Sequence, residues 1–207
     1  MALVAPAEFD SWAKKSLAAD VQAELVLCVA YAQSWIADQA GLRSLEKETT
    51  AQVSYFDGGR DTWGSELWVP MCCRPMWHTG SDLAVITENG AALTAVIGYS
   101  TTANVCIQGV NTFSRVRLSK IGGWYWGYVG ANNVSVTSKC GFDGSSTATT
   151  NALPPDAKRL VMEVAWLMFN SAGRIGINNT AKAGSSADII NDLSPMGQST
   201  LDWLRGV

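Results

Sequence analysis

The chain has 207 residues, of which 47% are apolar and only 16% charged, so it can bury a core without disulfides or metals and carries less charged surface than an average globular protein. Its net charge of −3, without a long run of Lys or Arg, argues against tight nucleic-acid binding through a basic patch, because phosphate contacts need clustered cations. Its apolar runs are far shorter than the roughly 20 residues of a membrane span, and its first residues lack a signal-peptide pattern. We therefore expect a soluble protein made in a cytoplasm, with no membrane partner.

Two helices are predicted in the first fifty residues. Ala5–Lys15 has the composition of a short helix, and from about Ala18 to Ala40 apolar residues recur at helical spacing. Ser16 or Asp20 is the expected N-cap of the second helix, and Gly41 its expected C-terminal stop.

The pattern changes at Ala51, and through Thr150 short alternating runs are separated by Gly-rich turns. Asn89-Gly90 between two apolar runs predicts a tight hairpin. About six to eight strands are expected, in a small antiparallel sheet or sandwich. The predicted strands are Gln52–Phe56, Glu66–Val69, Leu83–Thr87, Leu93–Tyr99, Asn104–Gln108, Ser114–Leu118 and Asn133–Cys140.

The stretch Leu153–Asn170 predicts the helix around which the rest of the chain is arranged. Pro154 and Pro155 are tolerated only in a first helical turn, because proline lacks the N–H that later turns require. The residues that follow are apolar on nearly every side, so this helix is expected to have neighbours on more than one side, either other helices or another subunit. Gly173 is the predicted end.

The remainder predicts a loop and a last helix. The Gly-, Asn- and Ser-rich residues from Gly173 to Ser186 are expected to form a flexible loop, and Ser194-Pro195 then supplies an N-cap and a first-turn proline. The order of helices, strands and helices predicts an α+β fold. In it, a helical platform made of residues 1–50 and 151–207 carries an inserted antiparallel β-rich module, residues 51–150.

The sequence offers little support for catalysis. His78 is the single histidine, and Cys72, Cys73, Ser81 and Asp82 near it are suitable residue types without a spacing that ties them together. An ordinary loop histidine is favoured, and an enzyme that uses His78 is the alternative. No C-x-x-C pair and no glycine-rich phosphate motif occurs, so neither a metal nor a cofactor is expected. The five cysteines are expected to be buried free thiols.

Nine tryptophans are a high number, and low charge with many Trp favours an obligate assembly over a large monomer core. Strand alternation would place Trp124, Trp126 and Tyr128 on one face. Packing in the core or between subunits is favoured. The alternative is a carbohydrate-binding β module that uses Trp124, Tyr125 and Trp126 as a stacking platform.

Several passages together resemble one family, although each is short. They are the opening helices from Phe9 to Gly41, Tyr55–Gly59 followed by Leu67–Pro70 and Arg74-Pro75, the Asn89-Gly90 hairpin, Leu153–Lys158, and Leu193–Pro195 with the helix ending at Arg205. In this order they resemble the head–tail connector, or adaptor, proteins of long-tailed double-stranded DNA bacteriophages. Residues 91–131 depart from the family pattern, since they are longer and richer in Trp and Gly.

The resemblance implies a structural, non-enzymatic protein. Family members form a ring, usually dodecameric, beneath the portal vertex of the DNA-filled head. The portal protein binds on one side and a stopper or tail protein on the other, while DNA passes through the channel without sequence-specific binding. The expected location is the virion neck, after assembly in the bacterial host cytoplasm. A stopper or tail-completion protein is the alternative within the same class.

Contact residues are assigned on this basis. The expected portal or partner contacts are Arg174, Ile175, Ile177, Asn178, Lys182, Trp203, Leu204 and Arg205, and the residues expected to pack between subunits are Trp124, Trp126, Tyr128, Trp166 and Phe169.

Overall fold

The structure is a computed structural model that describes residues 3–13, 18–77, 84–108, 116–122, 126, 130–144, 151–175 and 186–206. The chain divides into two compact units, a helical unit of Met1–Glu46 with Asp143–Val207 and a β unit of Lys47–Phe142. Helices and strands are thus segregated along the chain, which confirms the predicted α+β class.

The helical unit contains five helices among the described residues. They are α1 (Pro6–Ala13), α2 (Ala19–Gln39), α3 (Pro155–Ile175), α4 (Ser186–Asp192) and α5 (Pro195–Arg205). The long helix α3 packs against α2, α4 and α5. The helix predicted from its two prolines and its apolar pattern is therefore the element on which the other helices of this unit converge.

One face of α3 is fully buried. Ala157, Leu160, Val161, Val164 and Ala165 recur at a spacing of three or four and are at most 1% exposed. The aromatic side that was expected to be covered as well is only half-buried.

The predicted stop at Gly173 is wrong, because α3 continues to Ile175. A glycine ends a helix when the chain turns there into a left-handed conformation, whereas here the helix continues through Gly173. Inside a helix, glycine costs only about 1 kcal/mol relative to alanine. The favourable contacts of a long buried helix outweigh such a cost.

The two ends of α2 test the predicted helix signals. Its N-cap is Ala18, without a side-chain hydrogen bond, so the expectation that Asp20 caps it is wrong. Asp20 lies instead in the first turn, where its negative charge interacts favourably with the positive end of the helix dipole. Ser16 lies outside the described residues. At the other end Gly41 has φ 63° directly after the helix, which confirms the predicted stop.

The β unit contains nine strands in its described part. They are β1 (Gln52–Gly58), β2 (Thr62–Trp63), β3 (Glu66–Trp68), β4 (Val85–Glu88), β5 (Ala91–Leu93), β6 (Ala95–Ile97), β7 (Val105–Gln108), β8 (Arg117–Lys120) and β9 (Gly130–Ser138). One sheet has the order β1-β9-β4-β5, and the other has the order β2-β3-β8-β7-β6. All pairs are antiparallel except β6 with β7, which is parallel.

One predicted strand of the β unit is corrected. Leu93–Tyr99 is not one strand but breaks at Thr94, whose N–H and hydroxyl both donate to Asn104 Oδ1, at 3.0 and 2.8 Å. These bonds separate β5 from β6, which belong to different sheets. Between the strands, Cys72 and Cys73 lie in a short 3-10 helix, Met71–Cys73.

A single core joins the two sheets. Alternate residues of β9 point inward, so that Val134 and Val136 are buried while their neighbours are not. These side chains meet Ile86 of the same sheet and Leu67 and Ile107 of the other. Apolar burial between two facing sheets is the arrangement of a β-sandwich, which agrees with the sequence-based expectation.

Candidate functional site

The helix α5 begins and ends where its sequence predicts. The Ser194 hydroxyl accepts a hydrogen bond from the N–H of Gly197 at 3.1 Å, and Pro195 occupies the first turn. Gly206 follows the helix with φ 81°, a left-handed conformation that glycine adopts without strain. The predicted cap and first-turn proline are confirmed, and they fix which residues of α5 face inward.

A carboxylate of α3 holds the start of α5. Glu163 accepts hydrogen bonds from the Ser194 N–H at 2.5 Å and from the Ser194 hydroxyl at 3.0 Å. Gly197 lies so close that a Cβ added there would be 2.8 Å from Glu163 Oε2. A side chain at residue 197 would therefore force this carboxylate to move.

The three predicted contact residues at the end of α5 have different environments. Leu204 is fully buried, so its side chain belongs to the core of the helical unit. Trp203 is 42% exposed and lines a cavity of about 310 Å³ together with Pro154 and Asp156 of the α3 start. Of these three, only Trp203 has a large exposed apolar surface.

Arg205 fastens the end of α5 to the end of α2. Its Nε donates to the backbone carbonyl of Gln39 at 3.0 Å, and its Nη2 donates to Gln39 Oε1 at 3.3 Å. A third bond joins its Nη1 to Asp202 at 3.3 Å. This guanidinium is thus engaged within its own chain.

The other predicted contacts lie elsewhere. Arg174 and Ile175 are the last two residues of α3, whereas Ile177, Asn178 and Lys182 lie outside the described residues. The structure therefore brings Trp203, Leu204 and Arg205 together on α5.

Trp166 and Phe169, expected to pack between subunits, form a half-buried aromatic row with α1. Their rings stack at 5.8 Å, and Trp12 meets Trp166 edge-on at 6.2 Å. Phe9 is buried and meets Trp12 edge-on at 6.1 Å. The row fastens α1 to α3 and leaves part of each indole accessible.

An ion pair joins α1 to α3 as well. Lys158 Nζ lies 2.5 Å from Glu8 Oε1, and Glu8 Oε2 accepts the Ala5 N–H at 2.8 Å. Partial burial by itself would raise the pKa of the Glu8 carboxyl. The hydrogen bonds from Lys158 and Ala5, with the ammonium charge, outweigh burial and hold that pKa below its ordinary value.

Trp126 fills the interior of the β unit. It is 4% exposed, and its Nε1–H donates to the Ser65 carbonyl at 2.7 Å. The ring therefore has no free face for a sugar or for a neighbouring subunit. Trp124, Tyr125 and Tyr128 lie outside the described residues.

Among the described residues, three exposed aromatic side chains lie together at a place that the sequence did not predict as a site. Tyr55 of β1, Trp63 of β2 and Trp68 of β3 are 62%, 84% and 38% exposed and line an open groove of about 870 Å³. We call this the aromatic groove. The sequence of β1 gives only a weak signal for this groove. Strand alternation places Val53 and Tyr55 on one face and Phe56 on the other, so both faces carry apolar residues and the pattern does not predict which face is buried.

Charges beside the aromatic groove are satisfied within the chain. Arg117 Nη1 lies 2.6 Å from Glu66 Oε1, and Arg117 also bonds Gln108. Arg60 lies 3.7 Å from Asp57. Asp61 also lines the groove, and its carboxylate accepts the Asp57 N–H at 2.8 Å. The groove is thus an aromatic surface whose nearby charges are held in ion pairs or hydrogen bonds of the chain itself.

The described residues give little support for a metal site or a catalytic site. No group of three or more His, Cys, Asp or Glu side chains there could hold a metal ion. His78, Ser81 and Asp82 lie outside them. All five cysteines are free thiols, three of them buried, while Cys28 and Cys72 are half-buried. Burial and the nearby Glu24 raise the pKa of the Cys28 thiol.

In the part of the chain that is described, no helix has the length and apolarity to cross a bilayer.

Comparison with known proteins gives a fold but no family. No protein-family profile and no curated protein matches the chain. A chain in the neck of an empty gene transfer agent particle, computed with C6 symmetry, is 18% identical with a TM-score of 0.51, over 81% of this chain and 78% of that one. This chain shares its fold with that neck chain. A second chain, from the virion of the native particle, is 16% identical with a TM-score of 0.51, over 91% of this chain and 88% of that one. At such identities the likeness concerns the fold, and it spans both units.

Proposed function

We propose that this chain is a structural neck protein of a phage-like particle, an adaptor ring that joins the portal vertex of the DNA-filled head to the tail or the next neck protein. The observation that carries the proposal is the shared fold, which spans 81% of the chain in the gene transfer agent neck and 91% in the virion. A likeness confined to one unit would be expected if the chains shared only a widespread domain. A likeness that includes both units supports a related protein with a similar role.

The ordered sequence motifs support the same role independently. The residues that resemble the adaptor family include Leu153–Lys158 at the start of α3 and Leu193–Pro195 at the start of α5. The second motif contains Ser194, which bonds to Glu163 of α3, and the first motif forms the start of that same helix. The motifs therefore coincide with the framework of the helical unit.

The portal-facing surface in this proposal is the outer side of α5. Trp203 and Met196 are 42% and 48% exposed, and the cavity beside Trp203 suits an apolar side chain from a partner. Leu204 and Arg205 contribute indirectly, because they hold α5 against the rest of the unit. The residues after α3, including Ile177, Asn178 and Lys182, complete the proposed contact.

The proposed assembly is a homo-oligomeric ring, with twelve copies as the family resemblance implies. The C6 symmetry of the gene transfer agent neck is compatible with that number, because a twelve-fold ring contains a six-fold axis. A chain with a net charge of −3 is suited to surround moving DNA, since few unpaired cations would retain the phosphates.

The test uses DNA-filled heads that carry the portal and lack this chain. Purified protein should attach to them without any other neck protein, and electron microscopy should show a ring beneath the portal vertex. Attachment only after another neck protein has bound would favour the stopper or tail-completion alternative. Heads that stay bare under both conditions would overturn the neck assignment.

A further inference from the structure

The β unit has open sheet edges at opposite ends. In one sheet the outer strands are β1 and β5, and in the other they are β2 and β6. Strand β2 follows β1 along the chain, and β6 follows β5. The four outer strands therefore fall into two groups, β1 with β2 and β5 with β6. An open edge offers unpaired backbone groups to any other strand, and natural proteins usually cover or charge it.

Hydrogen-bond alternation identifies the free backbone groups of β1. The two-residue turn at Asn89-Gly90, with φ 50° and 78°, makes Glu88 and Ala91 a hydrogen-bonded pair. Alternation across β4 and β9 then makes Phe56 and Val134 such a pair. The N–H and C=O groups of the intervening residues of β1 therefore point out of the sheet.

Those intervening residues are Val53 and Tyr55. The next in the same series is Asp57, whose N–H indeed points away from β9 and donates to Asp61 Oδ2 at 2.8 Å. Among the described residues nothing bonds the backbone of Val53 or Tyr55 on that side. Their side chains are 46% and 62% exposed, so this edge is open in both backbone and side chains.

The opposite edge is open in the same way. Val105 donates to the Thr94 carbonyl at 3.0 Å, and Gly98 donates to the Ile107 carbonyl at 3.0 Å. Alternation in this parallel pair leaves the backbone of Ala95 and Ile97 directed outward. The Ile97 side chain is 44% exposed, and Tyr99 just beyond β6 is 84% exposed.

The charges of the two edges are compatible. No Lys, Arg, Asp or Glu occurs from Asn89 to Ser114, a stretch that includes β5 and β6. We call the two edge strands β5 and β6 together the uncharged edge. The aromatic groove beside β1 has its charges paired internally, Arg117 with Glu66 and Arg60 with Asp57. The Asp61 carboxylate in the groove lining accepts the Asp57 N–H at 2.8 Å. Contact between the two surfaces would thus bury no charge that lacks either an ion-pair or a hydrogen-bond partner.

We propose that the uncharged edge of one copy docks along β1 and the aromatic groove of the next copy. Backbone groups of the two edges would pair, and Ile97 and Tyr99 would enter the groove lined by Tyr55, Trp63 and Trp68. The proposal rests on the proposed ring. The two surfaces differ and lie at opposite ends of the sheets, so the contact is heterologous and repeats until the ring closes.

A second copy is the occupant that the observations favour. Both halves of the contact are on this chain, and each has outward backbone groups and exposed apolar side chains. A foreign strand would occupy the groove but leave the uncharged edge open. A ring covers both edges of every copy with one contact.

The test is a charge pair introduced across the proposed contact. Tyr55→Glu and Ile97→Lys should each weaken self-association more than tenfold, because each buries an unpaired charge, and the double variant should recover most of the loss. Val85→Glu is the matched control. Val85 is 53% exposed on β4, but β4 is an inner strand, so this variant should assemble like the wild type. Thermal unfolding of each variant verifies its fold, and sedimentation velocity and binding to portal-bearing heads measure assembly.

The outcomes separate the inference from the function on which it rests. If the wild type forms rings and both single variants form them equally well, the edge contact is overturned and the neck function is unaffected. The same holds if Val85→Glu alone blocks assembly, since the sheet face and not its edge would then be the contact. If the wild type neither self-associates nor binds portal-bearing heads, both the function and the inference fail.

Discussion

Glu163 of α3 accepts both the N–H and the hydroxyl of Ser194, at 2.5 and 3.0 Å, and so joins the central helix to the start of α5. The same hydroxyl accepts the N–H of Gly197 at 3.1 Å. One serine therefore caps α5 and fixes its position against α3. This contact carries the first two predictions.

Ser194→Ala removes the helix cap and one of the two bonds to Glu163. Loss of an N-cap costs about 1 kcal/mol, up to about 2, so we expect the free energy of unfolding to fall by about 1–2 kcal/mol. Urea denaturation followed by circular dichroism measures it. Ser199→Ala is an equivalent change at an exposed position of α5 and should stay within about 0.5 kcal/mol. Equal losses in the two variants would refute the role given to Ser194.

Gly197→Ala should destabilise the chain although alanine is the better helix former. The new Cβ would lie 2.8 Å from Glu163 Oε2, so the carboxylate must move and give up its bonds to Ser194. In a Glu163→Ala background the clash is gone, and the same substitution should stabilise by up to about 1 kcal/mol. A double-mutant cycle from urea unfolding should therefore give a coupling of about 1 kcal/mol or more. Additive effects would mean that the two residues do not interact.

The features that sequence predicted well are those that one or two residues dictate. Ser194 with Pro195 begins α5, Gly41 follows the end of α2, and Asn89-Gly90 turns the β4–β5 hairpin. In each case the local backbone requirement is met by few residue types. Such signals survive in any tertiary context, so the sequence alone reveals them.

The features that the sequence did not predict depend on contacts between residues distant in the chain. The strand expected through Leu93–Tyr99 breaks because Thr94 bonds Asn104, ten residues later, and no periodicity reports that bond. For Trp126 the sequence left packing in the core and packing between subunits open, and the structure places it in the core, where Ser65 accepts its indole N–H. The aromatic groove was missed for the same reason. Exposure of Trp63 is set by what the tertiary fold leaves uncovered.

The third prediction concerns pH and the Glu8–Lys158 pair. The Glu8 pKa is lowered from its ordinary 4.5, so its contribution to stability is present above about 4.5 and is lost as the pH falls through the lower folded value. Glu8→Gln should therefore be less stable than the wild type near neutrality. We expect about 0.5 kcal/mol, because the pair is partly exposed.

That difference should shrink to nothing in acid. Urea unfolding of both proteins from neutral pH down to about pH 3 measures it. Glu24→Gln makes the same charge change at an exposed carboxylate of α2 and controls for net charge. A Glu8→Gln difference that persists unchanged at the acid end would mean that the side chain acts through packing and not through its charge.

The last prediction separates docking from folding on α5. Leu204 is fully buried and Trp203 is 42% exposed, although they are adjacent. Leu204→Ala removes core contacts and should lower the free energy of unfolding by about 2–5 kcal/mol. Trp203→Ala should cost less than about 1.5 kcal/mol, yet it should weaken attachment to portal-bearing heads at least tenfold, because a half-exposed aromatic ring is a typical anchor for a partner. Unfolding curves and head-binding titrations measured on the same preparations distinguish the two. If Trp203→Ala binds heads like the wild type, then the proposed portal contact does not include the outer side of α5, and the residues after α3 must supply it.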